Sequence, residues 1–227
     1  MFIPIPINFR DGRQLNGIPV VNALFVVVNV LAFCLHWHPT VGPGTGLFSI
    51  LTYAFGHADI WHLAGNMLVL LIFGTPVNRR LGNGWYFLAY VGSAVALGLF
   101  ARLFCPGPLI GASGAIFAVI AMALMLFPSA IIEIGYFALF PFTLLVGLFD
   151  RPRHWVYWFI RWDSFGLRAW WGLFLVPLLE FWGLVWSGWN WTNLGHLLGL
   201  LCGLGVVLLL PTRISMNRST RSVFSGA

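Results

Sequence analysis

The stretch CPGPLIGASGAIFAVIAMALMLFP, residues 105–128, joins a Gly/Pro-rich loop to a short apolar helix. The predicted helix opens at Ser113 and ends at residue 127, before Pro128, so it is about 22 Å long at about 1.5 Å per residue. A hydrocarbon core is about 30 Å thick, which leaves one end of this helix below a membrane surface. Irregular backbone at that depth must be buried in protein or line a wet cavity. We therefore predict that Ser113 lies inside the membrane zone, next to water.

The rest of the chain is almost as apolar. Of its 227 residues, 59% are hydrophobic and only 8% are charged, whereas soluble domains carry about 25% charged residues. We predict an all-α membrane protein with one domain, 18–211, built as a six-transmembrane-helix bundle with a short central fourth helix. Apolar runs place the spans at 20–36, 60–76, 85–103, 113–127, 169–186 and 193–210.

The charge distribution predicts the orientation of these spans. The formal net charge is +6, and all twelve basic residues are arginines. Eleven of them fall on one side, as the positive-inside rule predicts for cytoplasmic loops, and Arg102 is the exception. This placement argues against a nucleic-acid partner and assigns the segment 1–17 and the tail 212–227 to the cytoplasm. The opening residues lack a transit-peptide pattern, which favours the inner membrane of a prokaryotic cell.

The segment 130–168 allows two interpretations. Residues 130–149 are apolar enough for a seventh span, but Glu133 and Pro141 interrupt them, and arginines mixed with aromatic residues follow. That mixture is typical of a segment lying in the membrane interface. A seventh crossing would also move the tail arginines outside. We therefore predict an insertion at the inner interface.

Three polar clusters interrupt the apolar chain, and on this topology all lie towards the external side. GASG at 111–114 opens the fourth span, His62 and Asn66 are four apart in the second, and His196 lies one turn into the sixth. A serine hydroxyl is a poor nucleophile until a neighbouring base takes its proton. Because His196 is the only histidine in the later spans, we predict that it is the base for Ser113.

Glycines near Ser113 and His196 favour close packing of the two helices that carry them. Gly199 and Gly203 follow His196 at i+3 and i+7, and Gly114 offers a matching small residue on the fourth span. Small residues let membrane helices approach closely. Such an approach is needed to bring a short serine within reach of an imidazole.

Acyl transfer also needs donors for the developing oxyanion. His62 and Asn66 share one helix face and can supply N–H groups. Of the carboxylates, Asp59 falls in an external loop and Glu180 in the middle of the fifth span, so neither is placed to complete a triad. The sequence predicts a Ser–His dyad.

The motifs in this order resemble those of the rhomboid intramembrane serine proteases. The resemblance extends to the opening Met1-Phe-Ile-Pro4 and to Pro19-Val-Val-Asn22. It is carried by His62-x-x-x-Asn66, Gly111-x-Ser113-Gly114 and His196-x-x-Gly199-x-x-x-Gly203.

The resemblance implies a role for each residue. Ser113 would be the nucleophile, His196 the general base, and His62 and Asn66 the oxyanion helpers. Phe117, one turn after the nucleophile, stands where the family often has a tyrosine. The substrates would be single-pass or other membrane proteins in the lipid bilayer, and the fifth helix would act as their gate. No cofactor or metal is implied.

Each residue taken alone also has a structural interpretation. Ser113 would more often be a helix N-cap, while His62, Asn66 and His196 would more often bond across helices or sit satisfied in the core. A zinc site from these histidines and His57 would lack a paired carboxylate.

Two other functions stay open on sequence grounds. A transporter or channel would explain an acidic residue, Glu180, within a span. A catalytically inactive relative would bind membrane helices without cutting them, although such proteins typically lack the serine or the histidine.

Overall fold

Helices and one small sheet form the fold in the computed structural model, which describes residues 2–12, 15, 17–150, 154–186 and 188–210. The sheet consists of β1 Phe2–Arg10, β2 Ile131–Leu139 and β3 Ile160–Arg168. The helices are α1 Val20–Cys34, α2 Ser49–Thr52, α3 Ile60–Val69, α4 Thr75–Leu81, α5 Asn83–Phe104, α6 Ser113–Leu126, α7 Phe142–Phe149, α8 Ala169–Trp186 and α9 Trp191–Leu209.

Within the part of the chain that the structure describes, four helices are long and apolar enough to cross a membrane, so this is an integral membrane protein. They are α5, α8, α9 and the continuous helix Ile60–Leu81, in which a π-helical turn at Leu70–Gly74 joins α3 to α4. α1 and α6 are apolar but shorter. All six lie where the sequence predicts spans, and the crossing of α1 and α6 stays a prediction.

α6 lies among the other helices. Ten of its fourteen residues are buried, and it packs against α5, α8 and α9. A helix that is apolar on every side is expected to be buried on every side. At about 21 Å, α6 is too short to match a hydrocarbon core of about 30 Å by itself, and protein rather than lipid surrounds most of it.

The three-stranded sheet shows that the all-α prediction is wrong for part of the chain. β1 pairs with β2 and β2 with β3, both antiparallel. The opening residues and the insertion 130–168 therefore fold together. β1 is an edge strand, which tolerates Pro4 and Pro6 because an edge residue needs no N–H for a second neighbour.

Glu133, interpreted from sequence as an interruption of an apolar run, is an anchor between strands. Its carboxylate accepts a hydrogen bond from Asn8 Nδ2 at 3.0 Å and forms an ion pair with Arg10. Apolar periodicity cannot reveal a pairing between segments so far apart in the chain. The position of the insertion at the inner interface stays a prediction.

Arg102, the exception to the charge pattern, has a local partner. It lies in the last turn of α5 and donates to the carbonyl oxygen of Thr45. It thereby satisfies a loop carbonyl near the end of the helix. The predicted cytoplasmic tail, 212–227, lies outside the described residues.

A buried polar cluster joins α1 to the π-helical turn. Asn22 is only 1% exposed, its Nδ2 donates to the carbonyl of Leu70 at 3.1 Å, and its Oδ1 accepts from the Tyr86 hydroxyl at 2.6 Å. A Cβ at Gly74 would overlap both Asn22 and Tyr86. The absence of a side chain at Gly74 is therefore what allows these buried bonds to form.

We expect Gly74→Ala to lower the free energy of unfolding by about 1–3 kcal/mol, because the added methyl group must displace a buried hydrogen-bonded side chain. Gly92→Ala in α5 is the matched control, since nothing lies within 4 Å of a Cβ there. Thermal unfolding in detergent micelles, followed by circular dichroism, measures both. Equal unfolding temperatures for the two variants would contradict this account of the cluster.

Candidate active site

Ser113 is the first residue of α6, and its hydroxyl does not cap the helix. The N-cap position belongs to Ala112, and no side-chain capping bond is made. The structural interpretation of Ser113 as an N-cap is therefore wrong. Its side chain is half-buried and remains available for chemistry.

The loop before Ser113 is held against the rest of the fold, as irregular backbone inside a membrane protein requires. Leu109 and Val41 exchange two backbone hydrogen bonds, of 2.7 and 2.9 Å, and the Gly111 N–H donates to the carbonyl of Tyr53 at 3.1 Å. Gly111 has a φ of 119°, which side-chain-bearing residues rarely adopt. These contacts fix the point at which the chain enters α6.

α9 touches α6 backbone against backbone. A Cβ at Gly199 would overlap the carbonyl oxygen of Gly114, and a Cβ at Gly203 would overlap that of Ala118. This is the close approach that the spacing from His196 predicts. Without these two glycines the helices would have to separate.

Ser113 and His196 border one cavity between α5, α6 and α9. Its volume of about 40 Å³ exceeds the roughly 10–15 Å³ that one ordered water needs. Gly114 and Gly195 line it without side chains, which leaves space between the hydroxyl and the imidazole. The cavity is therefore wide enough for water beside the nucleophile.

The imidazole of His196 is stacked on the ring of Phe117. The ring centroids are 4.0 Å apart and the planes differ by 7°. Nε2 of His196 is buried and has no hydrogen-bond partner among the residues that the structure describes. One nitrogen of the ring is thus available to accept a proton.

His62 and Asn66 border the loop that leads to Ser113. Asp59 caps their helix, because its carboxylate accepts from the backbone N–H of His62 at 2.8 Å. A Cβ at Gly111 would lie 2.8 Å from Cε1 of His62 and 3.9 Å from Nδ2 of Asn66. The glycine two residues before Ser113 thus lets both side chains approach the loop.

His57 is a further residue of this cluster, to which the sequence assigned no role beyond a rejected zinc site. It is fully buried, and its Nε2 accepts from Asn66 Nδ2 at 3.0 Å. Burial lowers the pKa of His57 from 6.5 to about 4, and nearby His62 adds to the shift. The ring is therefore neutral at pH 7. Because an amide has two N–H groups, Asn66 keeps one for another acceptor.

Glu180 contradicts the prediction that no carboxylate lies near the histidine. Nδ1 of His196 donates to Oε2 of Glu180 at 2.9 Å, and Nδ2 of Asn193 donates to the same oxygen at 2.7 Å. Sequence reasoning missed both residues, although a usable signal exists. Glu180 lies about 9 Å before the end of α8 and His196 about 8 Å after the start of α9, at about 1.5 Å per residue. Two helices joined by a short turn bring such positions to one depth.

Two histidines of the polar clusters bond to an amide and a carboxylate group. His57 bonds to Asn66 and His196 to Glu180, and the His57 and His62 rings meet edge to face. Within the described residues, no group of three His, Cys, Asp or Glu side chains is arranged to hold a metal ion.

The family of the chain follows from comparison with known protein families. The model of the rhomboid domain matches residues 44–213, which include the three motifs that contain Asn66, Ser113 and His196. The chain belongs to the rhomboid family. The resemblance found in the sequence is thereby confirmed.

Three relatives illustrate the range of this rhomboid protein's similarities. Rhomboid protein 1, mitochondrial, of Saccharomyces cerevisiae is 38% identical over 140 residues, 57% of this chain and 37% of that protein. The presenilin-associated rhomboid-like protein, mitochondrial, of Homo sapiens is 30% identical over 161 residues, 60% of this chain and 39% of the relative. Rhomboid protease GluP of Bacillus subtilis is 33% identical over 119 residues, 45% and 24% of the two chains. The match thus spans less than two fifths of each relative, and no solved structure matches the chain.

Gly199→Ala should lower the free energy of unfolding by about 1–3 kcal/mol, because the methyl group overlaps the Gly114 carbonyl and forces α9 away from α6. Any activity that needs Ser113 beside His196 should fall with it. Gly205→Ala, on the same helix with nothing within 4 Å of its Cβ, is the control. An unfolding temperature of Gly199→Ala equal to that of Gly205→Ala would show that the helices do not touch there.

The stability of the rhomboid protein should depend on the charge of His57. Because burial disfavours the charged ring, the unfolded chain binds a proton near pH 6.5 and the folded one only near pH 4. The contribution of His57 to stability is therefore fully present above pH 6.5 and is lost as the pH falls from 6.5 towards 4.

Unfolding temperatures between pH 7.5 and 4.5 measure this dependence. His57→Gln should show a weaker decline than the parent protein. His36→Gln, which changes an exposed loop histidine, should follow the parent curve. Parallel curves for the parent protein and His57→Gln would refute the assignment.

Proposed function

We propose that this rhomboid protein is an intramembrane serine endopeptidase. It hydrolyses peptide bonds in or near the transmembrane segments of other membrane proteins, with Ser113 as nucleophile and His196 as general base. The observation that carries the proposal is the cavity that Ser113 and His196 both line. Nε2 of His196 is buried and has no hydrogen-bond partner among the described residues, so it can accept the serine proton. The name of the Bacillus subtilis relative, a rhomboid protease, gives independent support.

The reaction proceeds through an acyl-enzyme. Nε2 of His196 takes the hydroxyl proton as Oγ of Ser113 attacks the substrate carbonyl carbon, and the imidazolium then protonates the departing amine. A water molecule in the cavity next attacks the ester carbonyl carbon and gives a proton to the same nitrogen. The resulting intermediate expels Oγ of Ser113, which takes that proton back from His196, and the new carboxylic acid leaves. Phe117 keeps the ring plane constant through both steps.

The oxyanion is stabilised by N–H groups near the start of α6. The candidates are the backbone N–H of Ser113, the amide N–H of Asn66 that does not bond to His57, and the ring of His62. One such donor is typically worth a factor of about 10²–10³ in rate. Gly111 contributes by letting His62 and Asn66 come close.

The membrane arrangement follows the charge pattern. All six apolar helices cross the bilayer, the site opens to the external side, both termini are cytoplasmic, and the insertion 130–168 lies at the inner interface. Substrate helices enter past α8. Only three of the eighteen residues of α8 are buried, namely Ala169, Gly172 and Leu184, so little of its surface is covered by the rest of the bundle. No cofactor takes part.

The relatives support two different membranes for this protein. We propose the inner membrane of a prokaryotic cell, and the similarity to a Bacillus subtilis protein supports a prokaryotic origin. The mitochondrial names of the yeast and human relatives support an organelle membrane instead. The cytoplasmic side is the arginine-rich one in the prokaryotic case.

Ser113→Ala and His196→Ala should each abolish cleavage of a single-pass membrane protein while leaving the fold intact. Ser129→Ala, on an exposed turn after α6, is the matched control and should cleave normally. The assay incubates purified protein and substrate in liposomes and identifies the fragments by mass spectrometry.

A fluorophosphonate probe tests the dyad without a natural substrate. It should label Ser113 in the parent protein, and labelling should be lost in His196→Ala. Persistent cleavage by Ser113→Ala would exclude the proposed mechanism. Ion flux through the liposomes that depends on Glu180, without cleavage, would instead support the transporter.

A further inference from the structure

The carboxylate of Glu180 is hydrogen-bonded to Nδ1 of His196, whereas Nε2, the other ring nitrogen, has no partner among the described residues. We propose that Glu180 is a positioning residue for His196, so that the site is a Ser–His–Glu triad within the membrane domain. This inference rests on the proposed protease function and names a part of the machinery that the sequence motifs leave out.

Glu180 selects the tautomer of His196. An ionised carboxylate can only accept hydrogen bonds, so the 2.9 Å contact with Oε2 of Glu180 requires the proton on Nδ1. A neutral imidazole carries one proton, which leaves Nε2 with its lone pair. That is the nitrogen without a partner among the described residues. Glu180 therefore selects the tautomer that a general base needs.

Glu180 also fixes the orientation of the His196 ring. The stack on Phe117 fixes the plane of the His196 ring, with centroids 4.0 Å apart. A stack alone allows the ring to flip by a half-turn, which keeps the plane but exchanges nitrogen and carbon positions. The hydrogen bond to Glu180 is lost in the flipped state. Phe117 and Glu180 together leave one orientation.

Glu180 is itself held in place. Nδ2 of Asn193 donates to the same carboxylate oxygen at 2.7 Å. Asn193 and His196 are three residues apart in α9 and share the face turned to α8. Gly183, one turn after Glu180, makes room, since a Cβ there would lie 2.7 Å from Asn193 Nδ2.

The negative charge of Glu180 also favours the charged state of His196. Glu180 is the one charged residue of α8, and a carboxylate in a membrane segment is expensive unless it is paired. Its side chain is 16% exposed, as is that of His196. When His196 takes the proton of Ser113, the imidazolium forms beside a negative charge already in place. The carboxylate thus stabilises the charged state that the reaction passes through.

Glu180→Gln is the decisive variant, because it keeps the size of the side chain and removes the charge. We expect kcat for a membrane-protein substrate to fall by about 10²–10⁴-fold with little change in KM. Glu180→Asp, which retains the charge on a shorter side chain, should recover part of the loss. Glu133→Gln removes a carboxylate charge from the sheet and should cleave like the parent protein.

The pH profile distinguishes positioning from a purely structural role. Activity falls on the acid side when His196 is protonated before it meets substrate. Without the negative charge of Glu180, this acid limb of kcat/KM should move to lower pH in Glu180→Gln. His62, which also interacts with His196, is present in both proteins and does not account for a difference. A lower unfolding temperature with unchanged kcat and an unchanged acid limb would overturn the proposal.

Two further proteins complete the test. Ser113→Ala in the same assay separates the two hypotheses: if it still cleaves, the protease function itself fails. If it is inactive while Glu180→Gln cleaves like the parent protein, only the triad fails. Should Glu180→Gln not fold, Asn193→Ala replaces it, because that change loosens the carboxylate without touching His196. A partial loss of kcat is expected there, and unchanged kcat would count against the proposal.

Discussion

The backbone contact between α6 and α9 is the constraint on which the rest of the site depends. In water, apolar side chains would drive two helices together, but in a bilayer lipid tails are equally apolar, so association relies on close packing of small residues. Gly199 against the Gly114 carbonyl, and Gly203 against that of Ala118, set the separation of the two helices. A site must hold its groups to about 0.5 Å to be productive. One added methyl group at this contact would displace His196 from Ser113 by more than that.

The sequence predicts the six apolar helices and the small-residue face because each of these signals is local. Span length is a property of one continuous run, and the glycine spacing from His196 is a property of one helix. The sheet and Glu180 depend on contacts between segments, which local patterns do not report. β1 pairs with a strand more than a hundred residues later, and its prolines are atypical of a β-strand. The position of Glu180 in the middle of its own span gives no hint of a partner, whereas its depth relative to the α8–α9 turn matches that of His196.

Several buried polar side chains of this protein are bonded in groups, and each group both lowers the cost of burial and fixes a direction. Asn22 joins α1 to the π-helical turn through Leu70 and Tyr86. His57 holds the amide of Asn66, and Asn193 holds the carboxylate of Glu180. A partner that satisfies a buried group also removes its rotational freedom. Stability and orientation of the site therefore have the same origin, and supporting residues cannot be separated from structural ones by burial alone.

α8 combines two properties that constrain each other. It has few buried residues, which suits a helix that substrates pass, yet it carries the carboxylate bonded to His196. A movement of the whole helix would break that bond at the moment the base is needed. Pro177 lies one turn before Glu180, and a proline within a helix leaves a carbonyl unpaired and permits bending there. The segment from Glu180 to Gly183 is tied to α9 through His196 and Asn193. Under the proposed function, the part of α8 that yields to a substrate is therefore not the part that carries Glu180.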